Sequence, residues 1–142
     1  MFLFYFSIIL TVVANTVYHI VQKLTPGNAN PALALTATYL TAALGSMGLL
    51  AVYRPEGGLA HSLRQLNWTS FALGIAIIGL ELGFLLAYRA GWNISLAGIV
   101  SNTTVGLLLL PVGLLLFKEK VSPVNAIGIL LCIGGLVMVN RK

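Results

Sequence analysis

Five stretches of this sequence are each apolar for about the length of a bilayer crossing: residues 2–22, 31–53, 70–90, 94–117 and 122–140. About 20 apolar residues in helical conformation cover the hydrocarbon core. Lipid offers no hydrogen bonds to exposed backbone, so a run of that length folds as a helix whose N–H and C=O groups pair within it. The chain is therefore expected to be an all-α integral membrane protein with five transmembrane helices. Of its 142 residues 58% are hydrophobic and only 8% charged, against about 25% charged in a soluble domain. The links carry the breakers. Pro26 and Gly27 separate the first two spans, and the next link begins Arg54-Pro55-Glu56-Gly57-Gly58. Gly91-Trp92-Asn93 and Lys118-Glu119-Lys120 form tight turns. Pro123 suits the first turn of the last helix, where a missing N–H costs little. In the longest link Leu59, Leu63 and Leu66 fall at i, i+4 and i+7, a pattern for a short helix lying along the headgroups.

Eight Lys and Arg against three acidic residues leave a net charge of +5. The basic residues stand at span ends and in links, where they set topology and touch headgroups. No basic stripe with interleaved aromatics exists, which excludes a nucleic-acid partner. Five spans put the two ends of the chain on opposite sides. Arg54, Arg64, Lys118 and Lys120 then fall on one side, and Lys23, Arg89, Arg141 and Lys142 on the other, four against four. The positive-inside rule needs a bias to choose an orientation. Its absence leads to the expectation of insertion both ways and an antiparallel homodimer. The first span has no basic region before it and no small-residue cleavage site after it, so it is expected to be a retained helix. Asn67-Trp68-Thr69 matches a glycosylation sequon and is read as a chance match in a short link.

One residue is out of place. Glu81 lies inside the 70–90 span. A charge near the bilayer centre costs roughly 2.5 kcal/mol or more, and such residues usually line a path for substrate or ions. No basic residue stands at i±3 or i±4, so the charge must be met by another helix, water or a substrate. Tyr88, seven residues on, projects from the same side. In the first span Thr11, Asn15, Tyr18 and Gln22 form one stripe with His19 beside it. In the fourth span Ser95, Gly98, Asn102, Gly106, Leu109 and Gly113 form a small-or-polar face. The candidate residues for binding substrate or protons are Glu81, Asn15, Asn102, Tyr18, His19 and Tyr88. Each but Glu81 has a structural alternative. Asn, Ser and Thr in membrane helices commonly bond a neighbouring helix or their own backbone. Tyr88 and Arg89 suit an aromatic belt and a snorkelling arginine at the membrane edge. His19 suits a solvated position at the end of its span.

Gly128 and Gly135 are seven residues apart in the last span, with Cys132 nearby. Small residues at helical spacing let backbones approach closely, so this helix is expected to form the dimer interface. Cys132 is the only cysteine, which rules out an intrachain disulfide. Gly106, Pro111 and Gly113 are positioned to bend the fourth helix. The chain has no aspartate, no glycine-rich phosphate loop with a lysine, and no His or Cys pair at metal spacing. Neither an enzyme nor a metal or other cofactor is expected.

The run Leu116-Phe117-Lys118-Glu119-Lys120-Val121-Ser122-Pro123-Val124-Asn125-Ala126-Ile127-Gly128, followed by Leu130-Leu131-Cys132-Ile133-Gly134-Gly135-Leu136, resembles the signature of the drug/metabolite transporter superfamily, in its EamA-type domain. The resemblance reaches back through Leu85-Leu86-Ala87-Tyr88 and Ser95-Leu96-Ala97. It covers the last 60 residues or so well and the first 80 only in span pattern. Larger members resemble two five-helix repeats of opposite orientation in one chain, and the small multidrug resistance members are four-helix antiparallel dimers. The resemblance thus implies that two inverted copies of this chain rebuild a ten-helix transporter. The Gly128-to-Gly135 spacing is similar to the last-helix dimer motif of the small members. It also implies a secondary transporter exporting small metabolites, amino acids or organic cations by alternating access, in a prokaryotic inner membrane. The small members carry their proton-binding glutamate in the first helix, where this chain has Asn15. Proton coupling, if present, therefore falls to Glu81. Flipping a lipid-linked substrate, or serving as a non-transporting subunit of a larger membrane complex, are the alternatives.

Overall fold

A computed structural model of the protein describes residues 2–120 and 122–140. Every regular element among the described residues is helical: α1 (Phe2–Leu24), α2 (Pro31–Leu49), α3 (Leu59–Arg64), α4 (Trp68–Arg89), α5 (Ile94–Leu115) and α6 (Pro123–Asn140). By length and composition α1, α2, α4 and α5 can cross a membrane, and Pro123–Val139 is a shorter apolar helix. The 18 residues of α6 rise about 27 Å at 1.5 Å each, slightly under a hydrocarbon core of about 30 Å. Arg141 and Lys142 of the charge tally lie outside the described residues.

Local chemistry sets the helix starts. The Asn30 side chain accepts from the Ala32 and Leu33 N–H groups at 2.9 and 3.3 Å, with Pro31 in the first turn. Asn67 accepts from the Thr69 N–H at 2.9 Å, so the asparagine of the sequon is the N-cap of α4. Ser122 Oγ accepts from the Asn125 N–H at 3.1 Å and caps α6 ahead of Pro123. Along the apolar helices small hydroxyls are consumed locally. Ser7, Thr11 and Thr16 in α1, and Thr36, Thr38, Thr41 and Ser46 in α2, donate to carbonyls three or four residues earlier. Thr11 thereby leaves the polar stripe anticipated for the first helix.

The chain divides into two compact units. One comprises Met1–Ile20 and Gly91–Lys142 and is built on α5 packed against α6. Its buried residues include His19, Ala97 and Gly113. The turn after α5 is seated on a glycine. The Glu119 N–H donates to the Gly113 carbonyl at 3.0 Å, and a Cβ at Gly113 would stand 2.5 Å from the Glu119 carboxyl. Gly113 therefore makes room for the returning Lys-Glu turn, whose Lys118 adopts a positive φ of 53°. The other unit comprises Val21–Ala90 and is built on α2 packed against α4, with Leu85 and Tyr88 buried.

Candidate functional site

Glu81 stands half-buried in the middle of α4. The packing of α2 on α4 brings Tyr39 to it. The Tyr39 hydroxyl lies next to the Glu81 carboxyl. It is shielded from solvent, and among the described residues no hydrogen bond of ordinary geometry satisfies it. Tyr39 lines a cavity of about 550 Å³, walled also by Leu35 and Thr36 of α2 and by Ile78 and Leu82 of α4. Ile78 and Leu82 flank Glu81 along the helix. The Thr36 hydroxyl is spent on the Ala32 carbonyl at 2.7 Å, and the Asn30 oxygen at the cavity's end is spent on capping. A carboxyl and a phenol this close can hold a proton between them.

Other side chains of the unit hold it together. The Gln22 amide, from the last turn of α1, donates to the Glu81 backbone carbonyl at 2.9 Å. Gln22 therefore ties α1 to α4. Tyr88 is only 6% exposed. Its ring stacks with Phe84 at 6.1 Å and carries the Lys23 ammonium at 5.3 Å. These contacts pack it within the unit, where an aromatic belt was the ordinary expectation. Arg89 Nη2 donates to the Pro26 and Ala29 carbonyls at 3.2 and 2.8 Å. Arg89 therefore clamps the α1–α2 link, where snorkelling was the simplest expectation.

The remaining candidates belong to the first unit. Asn15 and Asn102 are exposed. Tyr18 is half-buried, its ring edge-on to that of His19 at 5.3 Å. His19 is only 8% exposed, where a solvated histidine was an equal expectation. The small Gly98 seats its ring: a Cβ there would stand 3.7 Å from His19 Nε2. Gly128, Gly135 and Cys132 are exposed, and added Cβ atoms at the two glycines would meet nothing within 4 Å. Tyr39 is the residue that the sequence did not single out. Its signal was faint, a single tyrosine in the middle of the apolar second span.

The EamA-like transporter family matches the chain over residues 2–141. The protein belongs to this family. It is thereby a member of the drug/metabolite transporter superfamily and an integral membrane protein of a small-molecule transporter family. No curated protein and no solved structure matches the chain. The family match spans nearly the whole chain, and so includes the α2–α4 pair that carries Tyr39 and Glu81.

Proposed function

We propose that this EamA protein is a secondary transporter that exports small organic solutes by alternating access, with Glu81 binding either a proton or the cationic group of the substrate. The observation that carries this reading is the half-buried Glu81 next to Tyr39, which lines a cavity with apolar walls. A carboxylate taken out of water needs a counter-charge, and the cavity leaves room for a ligand to bring one. If proton and cation compete for the same carboxylate, loading one releases the other, and exchange follows. Among metabolites, amino acids and organic cations, the wall chemistry favours an amine or quaternary ammonium on an apolar body. Asn15 and Asn102, whose amides are exposed, are assigned to hydrogen-bonding polar parts of the substrate.

The working unit is an antiparallel homodimer in which two five-helix copies make ten helices. The even division of basic residues supports this, as does the open glycine face of α6 at Gly128 and Gly135. At 17 residues Pro123–Val139 reaches the lower limit for a crossing, which is about 17. A prokaryotic inner membrane is the expected location. The test is efflux from proteoliposomes loaded in turn with amino acids, amines and quaternary cations. Wild-type protein should export one class and Glu81→Gln should not. Equal efflux by both proteins would refute the assignment.

A further inference from the structure

The link between α2 and α4 forms a second cavity, of about 490 Å³, whose walls include Arg54, Glu56, His61 and Gln65. The cavity at Tyr39 has apolar walls, and this one has polar walls. It carries one group of each charge sign, and the two do not pair. Among the described residues, neither the Arg54 guanidinium nor the Glu56 carboxylate makes a hydrogen bond or an ion pair. We infer that this pocket binds a zwitterion, a molecule with an ammonium group and an oxyanion, at the membrane surface.

The local sequence builds the pocket. Arg54-Pro55-Glu56-Gly57-Gly58 sets the two charges two residues apart. Gly57 and Gly58 have φ of 74° and 89°, a region that favours glycine. The turn they make carries the segment back against the first turn of α3. The Gly58 N–H donates to the Pro55 carbonyl at 3.3 Å and the Ser62 N–H to the Gly58 carbonyl at 3.1 Å. The Ser62 hydroxyl donates to the Glu56 carbonyl at 3.4 Å. The His61 ring lies against Gly57, where a Cβ would stand 3.1 Å from its Cδ2. One turn on, the Gln65 amide nitrogen is 3.2 Å from His61 Nε2. Backbone and neutral side chains thus hold the walls, and the two charged groups take no part in that framework.

A ligand with one charge would be attracted by one of these groups and repelled by the other. A zwitterion satisfies both: Glu56 accepts from its ammonium, and Arg54 donates to its oxyanion through the planar fork of the guanidinium. The volume falls within the range of small-molecule pockets, about 300–1,000 Å³. Both helices joined by the link can cross a membrane, which puts the pocket at the bilayer surface. Leu59, Leu63, Leu66 and Trp68 are exposed, as suits a segment resting among headgroups. The same chemistry is offered by the headgroup of phosphatidylethanolamine and by a free amino acid. The inference stands apart from Glu81 and from the transport reading.

The test uses the full chain in a neutral detergent and follows its melting temperature during titration. The probes are phosphatidylethanolamine in mixed micelles and alanine in solution. Phosphatidylglycerol, which has the phosphate and lacks the ammonium, is the control. The variants are Arg54→Gln and Glu56→Gln, both at exposed positions outside the helices. Stabilisation by phosphatidylethanolamine beyond phosphatidylglycerol, weakened roughly tenfold in affinity by each variant, would mark a lipid site. Stabilisation by alanine with the same two losses would mark a solute site. Equal response to the two lipids with none to alanine would overturn the proposal. So would a loss in only one of the variants, or in neither.

Discussion

The two units of this chain handle polar groups in opposite ways. In Val21–Ala90 the polar side chains bridge segments far apart in sequence. Gln22 reaches the Glu81 carbonyl, Lys23 the Tyr88 carbonyl, and Arg89 the carbonyls of Pro26 and Ala29. In the unit of Met1–Ile20 and Gly91–Lys142, small residues make room for larger ones. Gly98 seats His19 and Gly113 seats Glu119, while Asn15 and Asn102 stay exposed. The lesson is about rigidity. A helix pair tied by charged and amide hydrogen bonds can hold a carboxyl and a phenol in register. A unit packed through glycines keeps open faces, which suits contact with a second copy.

That contrast can be broken at either end. The largest effect is expected from filling the open face of α6. Gly128→Leu combined with Gly135→Leu should abolish the dimer while leaving the helices folded, read by cross-linking in membranes and by circular dichroism. A dimer that survives would remove the α6 face from the interface. Next comes the clamp. Arg89→Ala should lower stability by about 1–3 kcal/mol, because two loop carbonyls lose a charged donor. The readout is thermal unfolding in detergent, and an unchanged melting temperature would show the clamp to be idle.

A smaller effect is expected at the cavity. Tyr39→Phe should keep the fold and raise the KM for substrate severalfold, roughly what one hydrogen bond of about 1 kcal/mol contributes. Unchanged transport would detach Tyr39 from Glu81. The smallest effect is expected at Gly113→Ala. The new Cβ displaces only the flexible end of Glu119, and alanine repays part of that through helix propensity, so the net cost should stay under about 1 kcal/mol. A loss of several kcal/mol would mean that the Lys-Glu turn cannot move.

Much of the fold was legible because it is one-dimensional information. The length of each apolar run and the breakers around it mark the helices, down to Pro123 at the start of α6 and the short helix that Leu59, Leu63 and Leu66 suggested. Glu81 was legible because a lone carboxylate in an apolar run is conspicuous by cost. Pairing between helices was not legible, since apolar faces are chemically interchangeable. Hence the approach of Tyr39 to Glu81 could not be read from spacing. The role of Arg89 was hidden for another reason. An arginine at a helix end looks the same whether it snorkels or clamps, and only the path of residues 26–29 decides. Likewise Gly113 looked like a bend and serves as a seat, because the turn that returns over it depends on the positive φ of Lys118.

The central claim is that one carboxyl alternates between proton and substrate, and proton movement tests it most directly. Proteoliposomes with a pH-sensitive dye trapped inside are exposed to an outward gradient of the exported cation. Wild-type protein should drive protons inward as the cation leaves, and Glu81→Gln should drive none. Equal proton movement in both proteins, or cation efflux with no proton movement in wild type, would contradict the account.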